Sequence, residues 1–127
     1  MKQKFDLEHA VVLGGSMAGL VTARVLSDHF ANVTILERDP VHDWPESRKG
    51  QPQTRHLHGL LGGGFQIFNH YFPDLLETLA QSDIFFGDMG ENMNWYTHGG
   101  YRRPVQTGLY GATMSRPFLE HQVRRRV

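Results

Sequence analysis

The chain has 127 residues, enough for one modest domain with a core and too few for a two-domain enzyme. Lys and Arg number 13 and Asp and Glu number 13, so no overall field favours nucleic acid or an anionic membrane surface. Cysteine is absent, which excludes disulfides, thiolate metal sites and cysteine nucleophiles.

Residues 1–9 read as a polar lead-in. Met1–Glu8 carries no apolar stretch of the kind a secretory signal needs, and no apolar run approaches the ~20 residues of a membrane span. The expectation is a soluble, cytoplasmic protein with no stable membrane span. Ala10–Leu13 is predicted as a strand, a short apolar run typical of parallel strands buried on both faces. The glycine-rich turn Gly14-Gly15-Ser16-Met17-Ala18-Gly19 follows. A helix is predicted from Ser16 or its neighbour to about His29, with Leu20, Val21, Ala23, Val25 and Leu26 on its apolar face. Val33–Leu36 is a second, β-branched strand ending at Glu37. Short connections on both sides of the helix imply a right-handed βαβ unit over residues 10–39.

The order strand, glycine loop, helix, strand, acid is the dinucleotide-binding fingerprint, and each part has a mechanical reason. Gly14 allows the tight turn out of the strand, and Gly19 lets the helix pack closely on the sheet. The helix start at Ser16, Met17 and Ala18 offers free backbone N–H groups and a partial positive charge to a pyrophosphate. Glu37 falls about 20 residues beyond the glycines, the spacing of the acid that binds an adenosine ribose. Ser16 stands where the middle glycine of G-x-G-x-x-G is usual. It is the smallest replacement that adds a hydroxyl, itself able to bond a phosphate oxygen.

From Asp39 to Pro52 the chain is polar and rich in breakers, and carries Arg48 and Lys49; loops of this length are functional or mobile. A second helix is expected to begin within Gln53–Gly64 and to run through Phe65, Phe68, Tyr71 and Phe72. Pro73-Asp74 interrupts it and opens another helical piece with Leu75, Leu76 and Leu79 on one face. Ile84–Phe86 is a short strand candidate, and Gly87-Asp88 after it reads as an ordinary turn. Met93–His98 and Tyr101–Val105 alternate about Gly99-Gly100 as a hairpin. Leu109–Met114 is a further strand. Ser115 or Arg116 caps a last helix, with Pro117 in its first turn. That helix runs into Arg124-Arg125-Arg126-Val127 without a capping glycine, as expected of a piece of a longer chain.

Three local features invite bland readings. His56-Leu57-His58 has no third ligand at a recognisable spacing, so no metal is expected. Arg124-Arg125-Arg126 is read as a solvated helix end and not as a nucleic-acid contact, because neighbours on a helix diverge by ~100°. Phe65, Phe68, Tyr71 and Phe72 are read as core, and Trp95 and Tyr96 as strand packing before substrate contact.

Four segments together carry a resemblance: G-G-S-M-A-G-L, then L-E-R-D-P, then R-K-G-Q-P-Q-x-R-H-L-H-G-L-L, then S-R-P-F-L-E-x-x-V-R-R-R-V. Over Ala10–Val127 the chain resembles the N-terminal part of bacterial FAD-dependent monooxygenase-like oxidoreductases, the flavin hydroxylases and their geranylgeranyl-reductase-like relatives. Members of that class are several times longer. The resemblance implies an α/β, Rossmann-like FAD/NAD(P)-binding fold with a small antiparallel β element, present as one partial domain over 1–127. Within it, the βαβ unit would be followed by a flavin-side loop and helices over 40–82, a hairpin region over 84–114 and a truncated helix over 115–127. It implies that Gly14, Gly15, Ser16 and Gly19 cradle the FAD pyrophosphate, and that Glu37 holds the ribose with Arg38 beside the adenine. It implies that Arg48 and the Gln53–His58 loop, with Arg55 and His56, approach the flavin, and that Arg116 supports FAD binding.

The implied activity is a flavoprotein monooxygenase that takes hydride from NAD(P)H and uses oxygen on a small apolar or aromatic substrate. No catalytic residue is assigned by this reading. The protein supplies position and electrostatics, and the flavin supplies the chemistry. Three alternatives stay open: a flavin-dependent prenyl reductase; a non-catalytic remnant or half of a split enzyme that needs a missing C-terminal domain or a partner chain; and a nicotinamide-binding domain. For the last, Glu37 permits NAD and disfavours NADP, because an acid there repels a 2′-phosphate.

Overall fold

The computed structural model describes residues 8–127; most of the polar lead-in therefore lies outside the described residues. The chain is a mixed α/β protein that groups into two compact units. One runs up to His56 and resumes at Ser115–Val127; the other is Leu57–Met114.

In the first unit, β1 (His9–Leu13) and β2 (Asn32–Leu36) pair in parallel, with His9 opposite Asn32 and Leu13 opposite Leu36. Helix α1 (Met17–Leu26) connects them, so the βαβ unit is present. Its start is one residue beyond Ser16, and it stops three residues short of His29, in a run of turns whose N–H groups bond back to Ala23, Val25 and Leu26. A 3₁₀ turn (Pro52–Arg55) and helix α4 (Arg116–Arg124) complete the unit and pack on each other. The Ser115 hydroxyl caps α4 by accepting from the Phe118 N–H at 3.3 Å, and Pro117 sits in the first turn. Both follow from the rules of helix entry. The core of this unit is Val12, Leu20, Ala23, Leu119 and Val123.

The expectation of strands buried on both faces is met on one face only. The side chains of Val12, Val33 and Ile35 turn inward, whereas Val11, Leu13 and Leu36 are exposed, Leu13 by 81%. Alternate residues of a strand point to opposite faces, and α1 covers only one of the two.

In the second unit, β3 (Leu57–Leu60), β7 (Tyr110–Ser115) and β4 (Phe85–Asp88) form a sheet in that spatial order. β4 and β7 are antiparallel, with Phe85 opposite Thr113 and Asp88 opposite Tyr110. Helices α2 (Gly62–Tyr71) and α3 (Leu75–Ala80) pack on one another, and Pro73 breaks between them as expected. The core is Leu60, Phe65, Phe72, Leu75, Leu79, Ala112 and Met114. Phe65 makes ring contacts with Phe86 and Tyr110 at centroid separations of 5.7 and 6.1 Å.

The helix expected to begin within Gln53–Gly64 starts at Gly62, after the 3₁₀ turn and the strand β3. Two expectations are corrected here. Gly87-Asp88 is not a turn: both residues belong to β4 and pair with β7. The hairpin of β5 (Tyr96–Thr97) and β6 (Gly100–Tyr101) is shorter than foreseen and turns one residue earlier, at His98-Gly99. Those two residues have φ of 53° and 84°, the paired positive values that a two-residue hairpin loop demands. Trp95 and Tyr96 are both exposed; the Trp95 indole donates to the Met89 carbonyl at 2.6 Å, and Tyr96 meets Tyr101 edge-on at 5.2 Å.

Candidate functional site

The glycine loop leaves β1 at Gly14, whose φ of +100° lies in the left-handed region. Its N–H donates to the Leu36 carbonyl at 2.8 Å, which ties the loop to the end of β2. Gly19, one turn into α1, lies against the loop so closely that a Cβ there would stand 1.8 Å from the Gly14 carbonyl oxygen. These two contacts put the start of α1 at the carboxyl ends of two parallel strands. The first N–H groups of a helix have no partner within it, so Ser16, Met17 and Ala18 present donors there.

Glu37 follows β2 directly and turns back on the loop. Its carboxylate accepts the Gly15 N–H at 2.7 Å and the Asp39 N–H at 2.9 Å, and pairs with Arg48 at 3.1 Å. The bond from Asp39 is the strongest influence on its acidity. Burial opposes it, and Gly15 and Arg48 reinforce it, so the Glu37 pKa falls from 4.5 to about 2. The group is a carboxylate across the physiological range.

Arg48 arrives on the long polar loop with its side chain 7% exposed. Asp39 anchors that loop by accepting the Gly50 N–H at 2.9 Å. Burial alone would lower the Arg48 pKa; bonds and charge from Glu37 and Glu120 outweigh it and raise the pKa. Arg48 donates to Glu120 at 2.5 Å and to the Gly15 carbonyl at 3.3 Å. Glu120, on α4, also accepts from Arg124 at 2.5 Å, Gln51 at 2.6 Å and Ser16 at 3.1 Å, with Arg116 at 3.7 Å.

An open cleft of about 370 Å³ lies over this arrangement, lined among others by Gly14, Ser16, Glu37, Arg38, Arg48 and Gln51. The structure therefore brings together Gly14, Gly15, Ser16, Glu37, Arg38, Arg48 and Arg116 from the expected set, with Met17, Ala18 and Gly19 forming the first turn of α1. Arg38 is mostly exposed and lies 3.6 Å from Asp39. Arg55 and His56 are exposed, and Arg55 lines a neighbouring cleft with Arg48 and Lys49. Among the described residues no group of three or more His, Asp or Glu is disposed to hold a metal ion.

Gln51, Glu120 and Arg124 had not been singled out for this site. Arg124 corrects the reading of the arginine run as a solvated end: its guanidinium turns inward to Glu120 and to the Gly15 carbonyl at 3.3 Å. The available signal was the spacing Arg116, Glu120, Arg124, which stacks three charges on one helix face.

No known family profile matches the chain. Over 94% of its length it is 38% identical to Protein Rv3254 of Mycobacterium tuberculosis (strain ATCC 25618 / H37Rv), and it spans about a quarter (26%) of the length of that protein. Among the described residues no helix is long and apolar enough to cross a membrane.

Proposed function

We propose that the chain is the FAD-binding portion of a flavin-dependent oxidoreductase, with the βαβ unit as the start of a Rossmann-like nucleotide fold. The observation that carries this reading is the meeting of Gly14, Gly15, Ser16 and Glu37 at the carboxyl ends of β1 and β2. Open α/β sheets receive their ligands at that edge. The residues fit a dinucleotide. Gly14 adopts the conformation the turn needs, Gly19 admits the close helix, and Glu37 is ionised and faces the loop. Of the residues lining the cleft, Arg48 holds a buried Nε and Gln51 a buried Oε1 without a hydrogen-bond partner.

In this reading the N–H groups of Ser16, Met17 and Ala18 and the Ser16 hydroxyl hold the diphosphate. Glu37 accepts from the ribose hydroxyls, and Arg38 flanks the adenine. Arg48, Arg55 and His56 lie on the loop that leads toward the flavin. When bound, FAD supplies hydride acceptance from NAD(P)H and the reduction of oxygen for monooxygenation of a small apolar or aromatic substrate. The substrate-facing part of such an enzyme belongs to further chain or to a partner, a reading that the greater length of the mycobacterial relative supports. A cytoplasmic location is part of the same proposal.

Titration of the full chain with FAD, followed by flavin fluorescence, tests the reading. Saturation at micromolar FAD supports it, and no saturation at millimolar FAD overturns it. Glu37→Ala is expected to weaken FAD binding by about 1–3 kcal/mol, the effect of leaving buried polar partners unpaired. Because Glu37 also bonds the loop, ADP and 2′-deoxy-ADP should be compared in both proteins. If Glu37 holds the ribose, the preference for ADP disappears in the variant; a preserved preference removes Glu37 from that role.

A further inference from the structure

Glu120 is 3% exposed, and burying a carboxylate is costly unless it is paired and hydrogen-bonded. Here the pairing exceeds what one charge requires. Arg48, Arg116 and Arg124 all converge on it, and Gln51 and Ser16 donate as well. Even with Glu37 included, three guanidinium groups face two carboxylates. All three arginines also donate to Gly15 or Ser16 of the glycine loop. Arg48 and Arg124 both donate to the Gly15 carbonyl at 3.3 Å, and Arg116 donates to the Ser16 hydroxyl at 3.4 Å.

The consequence is stereochemical. A trans peptide holds its C=O and N–H on opposite sides of a rigid plane. Two arginines fixing the Gly15 carbonyl therefore fix the Ser16 N–H in the opposite direction. The preceding N–H, of Gly15, is held by Glu37 at 2.7 Å. The orientation of the loop donors is thus set from behind by arginines, and the arginines are set by Glu120. The N-cap of α1 agrees with this, because the Ser16 hydroxyl makes no cap bond to its own helix and is engaged with Glu120, Gln51 and Arg116 instead.

We infer that Glu120 is a positioning residue that holds Arg48, Arg116 and Arg124 behind the Gly15–Ser16 peptide and so aligns the loop for a ligand bearing a diphosphate. The ligand class rests on the nucleotide reading above; the hold on the loop does not. Glu120→Gln keeps the shape, removes the charge and turns an amide N–H₂ toward groups that are themselves donors.

In the full chain this variant is expected to lose about tenfold or more in ADP and FAD affinity, the scale of a bond to a charged group. Adenosine, which has no phosphate, should bind as it does to wild type, and Glu120→Asp should recover part of the ADP affinity. A purely structural role would weaken adenosine and ADP alike. ADP affinity within about twofold of wild type, or equal losses for the two ligands, overturns the inference. If Glu120→Gln does not fold, Arg124→Met decides on the same two criteria, since it keeps the stem on α4 and removes one bond to the Gly15 carbonyl. If wild type binds neither ADP nor FAD, the nucleotide reading fails by itself. The Gly15 and Ser16 amide resonances then decide: displacement in Arg124→Met supports the hold on the loop, and unchanged resonances overturn it.

Discussion

Gly19→Ala is expected to destabilise the first unit by about 3 kcal/mol or more, the upper end of what an overfilled interior costs. The added Cβ would stand 1.8 Å from the Gly14 oxygen, 2.9 Å from the Gly14 carbonyl carbon and 3.4 Å from Val12 Cγ1. The first two are backbone atoms and have no rotamer to escape into. The peptide that carries the Gly14 oxygen is anchored by the Gly15 N–H on Glu37, the one before it by the Gly14 N–H on Leu36, and the one after it by the arginines on the Gly15 carbonyl. Relief therefore requires α1 to lift from β1, which opens the packing of Val12, Leu20 and Ala23. A loss of this size is a large share of the roughly 5–15 kcal/mol that holds an ordinary domain. Gly14→Ala is the control. A Cβ there meets nothing within 4 Å, so only the positive φ is penalised, by about 1–2 kcal/mol. Urea unfolding of both variants checks the order; a smaller loss at Gly19 than at Gly14 would remove the steric account of the motif.

The same residues show where sequence reading succeeds. The βαβ unit was legible because its signals are local: an apolar run, a glycine loop, an amphipathic stretch and a β-branched run, each within a few residues. Ser115 and Pro117 announced α4 in the same way. The strand β3 was not legible, because Leu57-His58-Gly59-Leu60 contains no β-branched residue and carries a glycine, and its pairing with β7 comes from far along the chain. The start of α2 at Gly62-Gly63-Gly64 defies intrinsic preference, since glycine is the poorest helix former after proline. There the burial of Phe65 four residues in sets the element. The Glu120 network was hidden for a related reason. Its partners Arg48, Gln51 and Ser16 lie 72, 69 and 104 positions away. Each is an ordinary polar residue until the fold brings them together.

Gly87-Asp88 was misread for a subtler reason: the pair is the usual signature of a turn, and the turn is real, but it begins one residue later and Asp88 builds it. The Asp88 side chain is 2% exposed and no cation is bonded to it among the described residues. One oxygen accepts the Gly90 and Glu91 N–H groups and the Thr107 hydroxyl; the other accepts the Thr107 and Gly108 N–H groups, the last at 2.6 Å. One carboxylate thus ties together both ends of the segment that contains Trp95 and the β5–β6 hairpin. Burial pushes its pKa up, but bonds from Gly90, Thr107, Gly108 and Glu91 outweigh this and bring it from 3.8 to about 2. A lowered native pKa means that the unfolded chain binds more protons, so stability rises with pH in that window. The Asp88 contribution is complete above about pH 4 and is lost as the pH falls through about 2. Asp88→Asn is nearly isosteric, yet its N–H₂ must face N–H groups on one side, leaving buried donors without acceptors. The variant is expected to unfold at a clearly lower temperature, with the Gly90, Glu91, Thr107 and Gly108 amides exchanging faster than that of Gly87 in the β4–β7 ladder. Its stability should also fall less steeply than that of wild type below pH 4. Glu37 titrates in the same acid window in both proteins, so the difference between the two profiles isolates Asp88. Unchanged amide protection together with an unchanged acid profile would mean that the segment is held by its packing and not by this carboxylate.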